Sequence, residues 1–236
     1  MKLFVIPDVH LKPIMFDKAE RLGKQHNVDG YVFLGDLVDD WGKQNDHIAY
    51  SETFNRAIEF IKANKKLYWC WGNHDISYKY YLRQTGFSFR LCSMCHSRFE
   101  DLEARLGNRL KIVHKVDKVL FSHAGLMQNW VDEVLENKPF TTTDNILKYV
   151  NSITKASQLW DSKSPLWARP SEDLSLKPFR MDRWVQVVGH DPVLGICERL
   201  RIVSTDTFST YESGAKYGNE TFIIIDTKTC DYTVVS

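Results

Sequence analysis

The sequence lacks any apolar run that approaches the length of a membrane-spanning helix, about 20 residues. Its first eight residues, MKLFVIPD, are too few and too soon interrupted by Pro7 and Asp8 to form a signal peptide. Their apolar part predicts a first strand instead. We therefore expect a cytoplasmic protein without a membrane segment.

An excess of one charge sign is also missing, because 31 basic residues face 30 acidic ones and the formal net charge is +1. This balance gives no electrostatic basis for a dedicated nucleic-acid binder, which needs a basic surface to neutralise phosphates. A small phosphorylated ligand is compatible with it, because a bound metal ion can supply positive charge locally.

Cysteine is scarce and odd in number, with five in the chain, which indicates reduced thiols in an intracellular compartment. The segment Cys92-Ser-Met-Cys95-His96 formally matches a c-type haem attachment and half of a zinc site. Haem attachment needs export, which nothing in the sequence indicates, and a second CxxC is absent. We interpret the two cysteines as buried thiols on one helix face.

Linkers, repeats and low-complexity segments are absent too, so the chain is expected to form a single domain over residues 1–236. Its length suffices for a sizeable core, and 43% hydrophobic with 26% charged residues is ordinary for a globular protein. An irregular excursion at about 158–183 contains Pro165, Pro170 and Pro178. Because it also carries large apolar side chains that must pack, it is not expected to be a linker.

The apolar pattern predicts strands at 2–6, 31–34 and 66–71 that alternate with helices at 13–27 and 48–64. Such a series favours a parallel sheet with right-handed crossovers. Further helices are predicted at 92–106, 127–137 and 143–157, and further strands at 111–116, 119–122, 185–189, 195–199, 201–205, 221–226 and 232–235. The predicted fold class is α/β, a four-layer α-β-β-α sandwich of two mixed β-sheets with flanking helices.

Polar side chains follow five of these strands at the point where each ends. The strand at 31–34 leads to the carboxylate of Asp36. The strand at 2–6 leads to Asp8 and His10, and the strand at 66–71 leads to Asn73. In open α/β sheets, ligands bind at this carboxyl edge. The residues that follow the strands are Asp8, His10, Asp36, Asn73, His123 and His190.

A mixed set of Asp, His and Asn suits a pair of divalent ions such as Mn²⁺, Fe or Zn²⁺, and the absence of cysteine argues against a structural zinc site. Two such ions, roughly 3.5–4 Å apart, can hold a bridging hydroxide and bind phosphate oxygens for in-line attack. His74, next to Asn73, is the candidate acid for the leaving oxygen, and Asp39 is its candidate hydrogen-bond partner.

The order of Asp8-Val-His10, Gly35-Asp36, Gly72-Asn73-His74-Asp75, His123 and Gly189-His190 resembles the calcineurin-like metallophosphoesterase superfamily. Residues 35–39 and 189–192 look like motifs of its phosphoprotein-phosphatase branch, which includes phage and bacterial members. The resemblance implies one metal ion on Asp8, His10 and Asp36. It implies a second ion on Asp36 together with Asn73, His123 and His190.

Trp167-Ala168-Arg169 is similar to the Trp-x-Arg segment of bacterial members, in which the arginine contacts phosphate. The chain departs from the branch at Asp40, where an arginine that binds phosphate is usual. A carboxylate there would repel a dianion unless it turns away. Pro192 stands where many superfamily members carry a second histidine.

The residues and the resemblance together predict a dinuclear phosphoesterase that hydrolyses phosphomonoesters, with protein phosphoserine or phosphothreonine as one substrate. The alternative substrate is a nucleotide, either a dinucleoside polyphosphate or a cyclic phosphodiester. A metal-bearing binding protein without turnover is the alternative of another class, although such a protein would have no need of His74 as an acid. A nuclease is disfavoured by the neutral charge.

Overall fold

The computed structural model describes residues 1–136 and 138–236. The strands, in chain order, are β1 (Lys2–Ile6), β2 (Gly30–Phe33), β3 (Leu67–Cys70), β4 (Leu110–Lys111), β5 (Val113–Val116), β6 (Val119–Ser122), β7 (Val185–Val188), β8 (Cys197–Arg199), β9 (Ile202–Ser204), β10 (Phe222–Asp226) and β11 (Tyr232–Val235). The helices are α1 (Ile14–Gln25), α2 (His47–Ala63), α3 (Asn73–Tyr80), α4 (Cys92–Leu106), α5 (Gln128–Val134), α6 (Thr143–Val150) and α7 (Ala156–Leu159), with a 3-10 turn at Gly107–Arg109.

The strands form two mixed sheets. The six-stranded sheet has the order β11-β10-β1-β2-β3-β4, and the five-stranded sheet has the order β5-β6-β7-β9-β8. Strands β1 to β4 run parallel, as the β-α-β-α-β pattern predicts, and β10 and β11 are antiparallel additions. In the second sheet β6, β7 and β9 are parallel, and β5 and β8 pair antiparallel at the edges.

Alternation along the strands places one set of side chains between the sheets and the other under the helices. In β1, Leu3 and Val5 belong to a core cluster that contains residues of both sheets. Phe4 belongs to the larger cluster that includes the helices, where Phe16 of α1 packs on Phe33 of β2 with ring centroids 5.8 Å apart. This period-2 pattern produces the predicted α-β-β-α sandwich.

Several predicted boundaries are wrong for identifiable reasons. The strand predicted at 111–116 divides at Ile112, because β4 pairs in the first sheet and β5 in the second. The helix predicted at 143–157 is two helices, because the carboxamide of Asn151 accepts the backbone N–H groups of Ile112 and Val113 at the end of α6. The end predicted for α5, Asn137, lies outside the described residues.

Two further segments bear on the site. Helix α3 begins directly after Gly72, where only a strand end was predicted. Residues 160–184 form turns, with a single isolated bridge between Met127 and Pro178, as the prolines indicated. Among the described residues, no helix combines the length and the apolar character that crossing a bilayer requires.

Candidate metal centre and active site

The two sheets bring their carboxyl edges to the same place. Asp8, Asp36 and Asn73 follow β1, β2 and β3, whereas His123 and His190 follow β6 and β7. All five are buried, with at most 6% of their surface exposed. The sandwich therefore assembles groups that are up to 182 residues apart in the chain, as the hydrogen bonds from the backbone N–H of His190 to both Asp8 carboxylate oxygens illustrate.

The candidate ligands form two groups that share one carboxylate. Asp8, His10 and Asp36 form the first group and Asp36, His123 and His190 the second, with the ligand atoms of each group within 4.8 Å of one another. His10 Nε2 lies 3.8 Å from Asp36 Oδ2, and His123 Nε2 lies 3.3 Å from the same atom. Asp36 thus contributes to both groups of potential ligand atoms.

Asn73 completes the second group. Its side-chain oxygen lies 2.7 Å from His123 Nε2 and 3.1 Å from His190 Nδ1, so three potential ligand atoms face one point. The Asn73 amide nitrogen donates to Oε1 of Gln84 over 2.7 Å, which directs the oxygen of Asn73 inward. The six predicted ligands are therefore together in the structure.

Backbone carbonyls fix the tautomers of two histidines. Nδ1 of His10 is 2.8 Å from the carbonyl oxygen of Asp39, and Nδ1 of His123 is 3.0 Å from that of Leu34. Because a carbonyl oxygen only accepts, each Nδ1 donates its hydrogen and each Nε2 presents its lone pair to the centre. Burial holds the pKa of His190 well below its usual value, which keeps that ring neutral as a metal ligand requires.

The acidic groups lie where a cation would stabilise them. Burial, reinforced by the negative charges of Asp206 and Asp36, holds the pKa of Asp8 well above its usual value. At Asp36 burial acts in the same direction, but the charges of His123 and His74 outweigh it and lower the pKa. Two buried carboxylates surrounded by imidazoles form a donor set that fits divalent ions.

Close backbone approach makes small residues necessary around these ligands. A Cβ on Gly189 would lie 1.9 Å from Asp8 Oδ1, and one on Gly72 would lie 2.1 Å from Asp36 Oδ1. Asp36 and His190 themselves adopt positive φ angles of 58° and 65°. Such strained positions in non-glycine residues cluster at functional sites.

His74 and Asp39 form a hydrogen-bonded pair beside the two groups. Nδ1 of His74 lies 2.8 Å from Asp39 Oδ2. Burial favours the neutral ring, but the charge of Asp36 and the bond to Asp39 outweigh it and raise the pKa of His74 to about 9. His74 lines an open cavity of ≈ 660 Å³ and can therefore present a proton to a ligand.

Arg169 lines the same cavity, as the Trp-x-Arg resemblance implies. Its guanidinium pairs with the carboxylate of Asp191, whose other oxygen accepts the hydroxyl of Ser171 over 2.5 Å. Asp40 lies elsewhere on the wall, and its carboxylate accepts the backbone N–H of Trp41. Its Oδ2 forms ion pairs with Lys12 and Lys43. These pairs reduce the repulsion between the carboxylate and a dianionic ligand.

Sequence reasoning missed several supporting residues. The Asp75 carboxylate accepts the backbone N–H groups of Asp36, Leu37 and Gly72, which ties the loop after β2 to that after β3. Asp75 directly follows the candidate residues Asn73 and His74, and this position in the motif could have indicated a role at the site. Tyr50 and Tyr78, whose hydroxyls donate to Asp39 Oδ1, gave no signal that set them apart from core aromatics. Gln84 gave none either.

Comparison with known proteins identifies a family and related folds. A model of the calcineurin-like phosphoesterase family matches residues 1–220. A cold-active protein tyrosine phosphatase of known structure is 17% identical, covering all of this chain and 78% of the other, with a TM-score of 0.54. A hypothetical protein from Pyrococcus horikoshii OT3 is 13% identical, covering all of this chain and 87% of the other, with a TM-score of 0.51.

These structural likenesses show the fold alone, and no curated protein sequence matches significantly. The match to the family covers nearly the whole chain, including every candidate ligand. The chain belongs to the calcineurin-like phosphoesterase family, and it is a metal-dependent phosphoester hydrolase.

Proposed function

We propose that the protein is a dinuclear phosphomonoesterase of the phosphoprotein-phosphatase branch, with phosphoserine or phosphothreonine peptides among its substrates. The observation that carries the proposal is the His74–Asp39 pair beside two ligand groups that share Asp36. This arrangement combines side chains that can bind cations with a side chain that can donate a proton.

The ligand groups fit two divalent ions, which we infer to be Mn²⁺, with Fe and Zn²⁺ as alternatives. One ion would take Asp8, His10 and Asp36, and the other Asp36, Asn73, His123 and His190. Bound there, such ions lower the pKa of water and neutralise phosphoryl oxygens. The protein contributes imidazoles and buried carboxylates whose orientations are fixed by hydrogen bonds, so the ligand set needs no rearrangement.

His74 holds the proton that the departing oxygen needs. The bond from Nδ1 to Asp39 leaves Nε2 as the donor for the substrate, and the raised pKa keeps the ring protonated at neutral pH. An alkoxide leaving group, such as that of serine or threonine, gains most from this proton because it is a strong base. Asp39 acts through His74 and is a positioning residue.

Arg169 is assigned to the phosphoryl oxygens. Its planar guanidinium suits bidentate contact with phosphate, and the Asp191 carboxylate orients it on the cavity wall. A cation at this position favours a monoester over a diester, because a monoester carries one more negative charge and is attracted more strongly.

A nucleotide substrate is the second candidate, because exposed aromatic side chains line the cavity. Trp41 and Tyr211 are 45% and 49% exposed, and both lie on its wall. Aromatic rings of this kind can stack on a base. A binding protein without turnover is less well supported, since it would not need a protonated His74 held by a buried carboxylate.

A matched hydrolysis assay tests the proposal. Metal-stripped protein receives Mn²⁺ and is presented with an aryl phosphomonoester, an aryl phosphodiester and a dinucleoside polyphosphate, for wild type and His74→Asn. Metal-dependent turnover that ranks the monoester first and falls in the variant supports a phosphatase. Preference for the polyphosphate selects the nucleotide hydrolase, and no turnover with metal bound contradicts both enzymes.

A further inference from the structure

Lys12 is a largely buried lysine on the wall of the metal cavity. It lies two residues after His10, lines the cavity, and has only 19% of its side chain exposed. Its ammonium donates to the carbonyl oxygen of His10 over 3.3 Å and lies 3.8 Å from Asp40 Oδ2. Burying an ammonium group is costly unless its hydrogens find partners.

These contacts do not use the full donor capacity of Lys12. An ammonium group has three hydrogens, and only the contact with His10 is a hydrogen bond, because 3.8 Å to Asp40 is an ion-pair distance. The lysine therefore retains hydrogens for a ligand in the cavity. A phosphate oxygen, which only accepts, matches that need.

The Asp40 carboxylate does not depend on Lys12 for its own partners. Its Oδ1 accepts the backbone N–H of Trp41 over 2.9 Å and the hydroxyl of Thr210 over 3.2 Å. A second lysine, Lys43, lies 3.4 Å from Oδ2. Asp40 therefore has partners besides Lys12, and the carboxylates of Asp206 and Asp8 also lie near the ammonium group.

We propose that Lys12 binds a phosphoryl oxygen of the substrate and that Asp40 positions its ammonium group. This inference rests on the proposed function and assigns the recognition of a dianionic phosphoryl group to Lys12 and Arg169 together. Asp40 then serves as an anchor at the phosphate site rather than as a repelling charge.

Lys43 provides a matched control. It pairs with the same Asp40 oxygen, but its side chain is 42% exposed and it is not among the residues that line the cavity. Removing either lysine removes one positive charge near Asp40. Only removal of Lys12 takes a donor out of the cavity.

The experiment is a calorimetric titration of Mn²⁺-loaded protein with inorganic phosphate, for wild type, Lys12→Met, Lys12→Arg and Lys43→Met. A hydrogen bond to a charged group contributes about 1.5–3 kcal/mol, so Lys12→Met is expected to weaken phosphate affinity about tenfold or more. Lys12→Arg should retain most of the affinity, and Lys43→Met should change it less than about threefold, as for an exposed ion pair.

Kinetics and metal analysis complete the test. Lys12→Met should raise the KM of an aryl phosphomonoester more than that of a diester, which carries one negative charge less. Equal losses in Lys12→Met and Lys43→Met, loss of Mn²⁺ from Lys12→Met, or no phosphate binding by wild type would each overturn the proposal. Phosphate binding that depends on Lys12 in a protein without turnover would instead reject the proposed function and retain the Lys12 site.

Discussion

Nδ1 of His74 lies 2.8 Å from Oδ2 of Asp39, and the other oxygen of this carboxylate accepts two further hydrogen bonds. The hydroxyls of Tyr50 and Tyr78 both donate to Asp39 Oδ1 over 2.5 Å. Burial and the charge of Asp39 raise the pKa of both tyrosines, so both remain donors. Asp39, which is only 1% exposed, is thereby held in place, and its hydrogen bond and charge help to raise the pKa of His74.

Removing one of these hydroxyls is expected to reduce proton donation. Tyr50→Phe and Tyr78→Phe each leave Asp39 with one donor fewer, and kcat for an alkyl phosphate should fall about three- to tenfold. An aryl phosphate, whose leaving group needs less protonation, should lose less. Tyr68→Phe, on β3, is the control and should leave both rates unchanged. Equal losses on the two substrates would contradict the role given to the tyrosines.

The sequence predicts the architecture well where a signal is local. Short continuous apolar runs identified β1, β2 and β3, and the polar residues at their ends meet because parallel strands share a carboxyl edge. Helix α4 was predicted with its observed bounds at 92–106, since Gly107 is a signal for the end of a helix.

Other features depend on contacts between distant segments and could not be predicted. Tyr50 reaches Asp39 only because α2 packs beside the loop after β2, and its spacing alone indicates an ordinary core position. The break after Val150 depends on Asn151 bonding to Ile112 and Val113, nearly 40 residues earlier. Lys12 gave no signal either, because its cavity is formed by segments from across the whole chain.

Adding a methyl group at Gly189 is expected to displace Asp8, a candidate metal ligand. The Cβ of Gly189→Ala would lie 1.9 Å from Asp8 Oδ1, so either the carboxylate or the backbone must move. Mn²⁺ affinity, measured by calorimetry, should fall at least about tenfold, as for other changes around metal ligands. In Gly195→Ala the nearest atom is the flexible amide nitrogen of Asn219 at 3.2 Å, and affinity should be unchanged. Wild-type affinity in Gly189→Ala would refute this placement of Asp8.

Loss of the Arg169 guanidinium should discriminate between substrates. Arg169→Ala is expected to lower kcat/KM for an aryl phosphomonoester about 10- to 100-fold, because a charge-assisted contact with the dianion is lost. The loss for the corresponding diester should be smaller. Arg180→Ala is the control, because Arg180 bonds to Thr143 and Thr141 away from the cavity. Equal losses for the two esters would rule out a phosphate contact.

His114 makes stability depend on pH at a point away from the candidate metal ligands. Its Nε2 bonds to the carbonyl of Trp69 over 2.9 Å, and burial lowers its pKa to about 4. The unfolded chain, with a pKa of about 6.5, takes up a proton first as pH falls, so stability is lost between about pH 6.5 and 4, by up to about 3 kcal/mol. Urea unfolding with chelator present should show this slope in wild type and in His47→Gln, whose side chain is exposed, but a weaker one in His114→Gln. An identical slope in His114→Gln would assign the acid sensitivity to other groups.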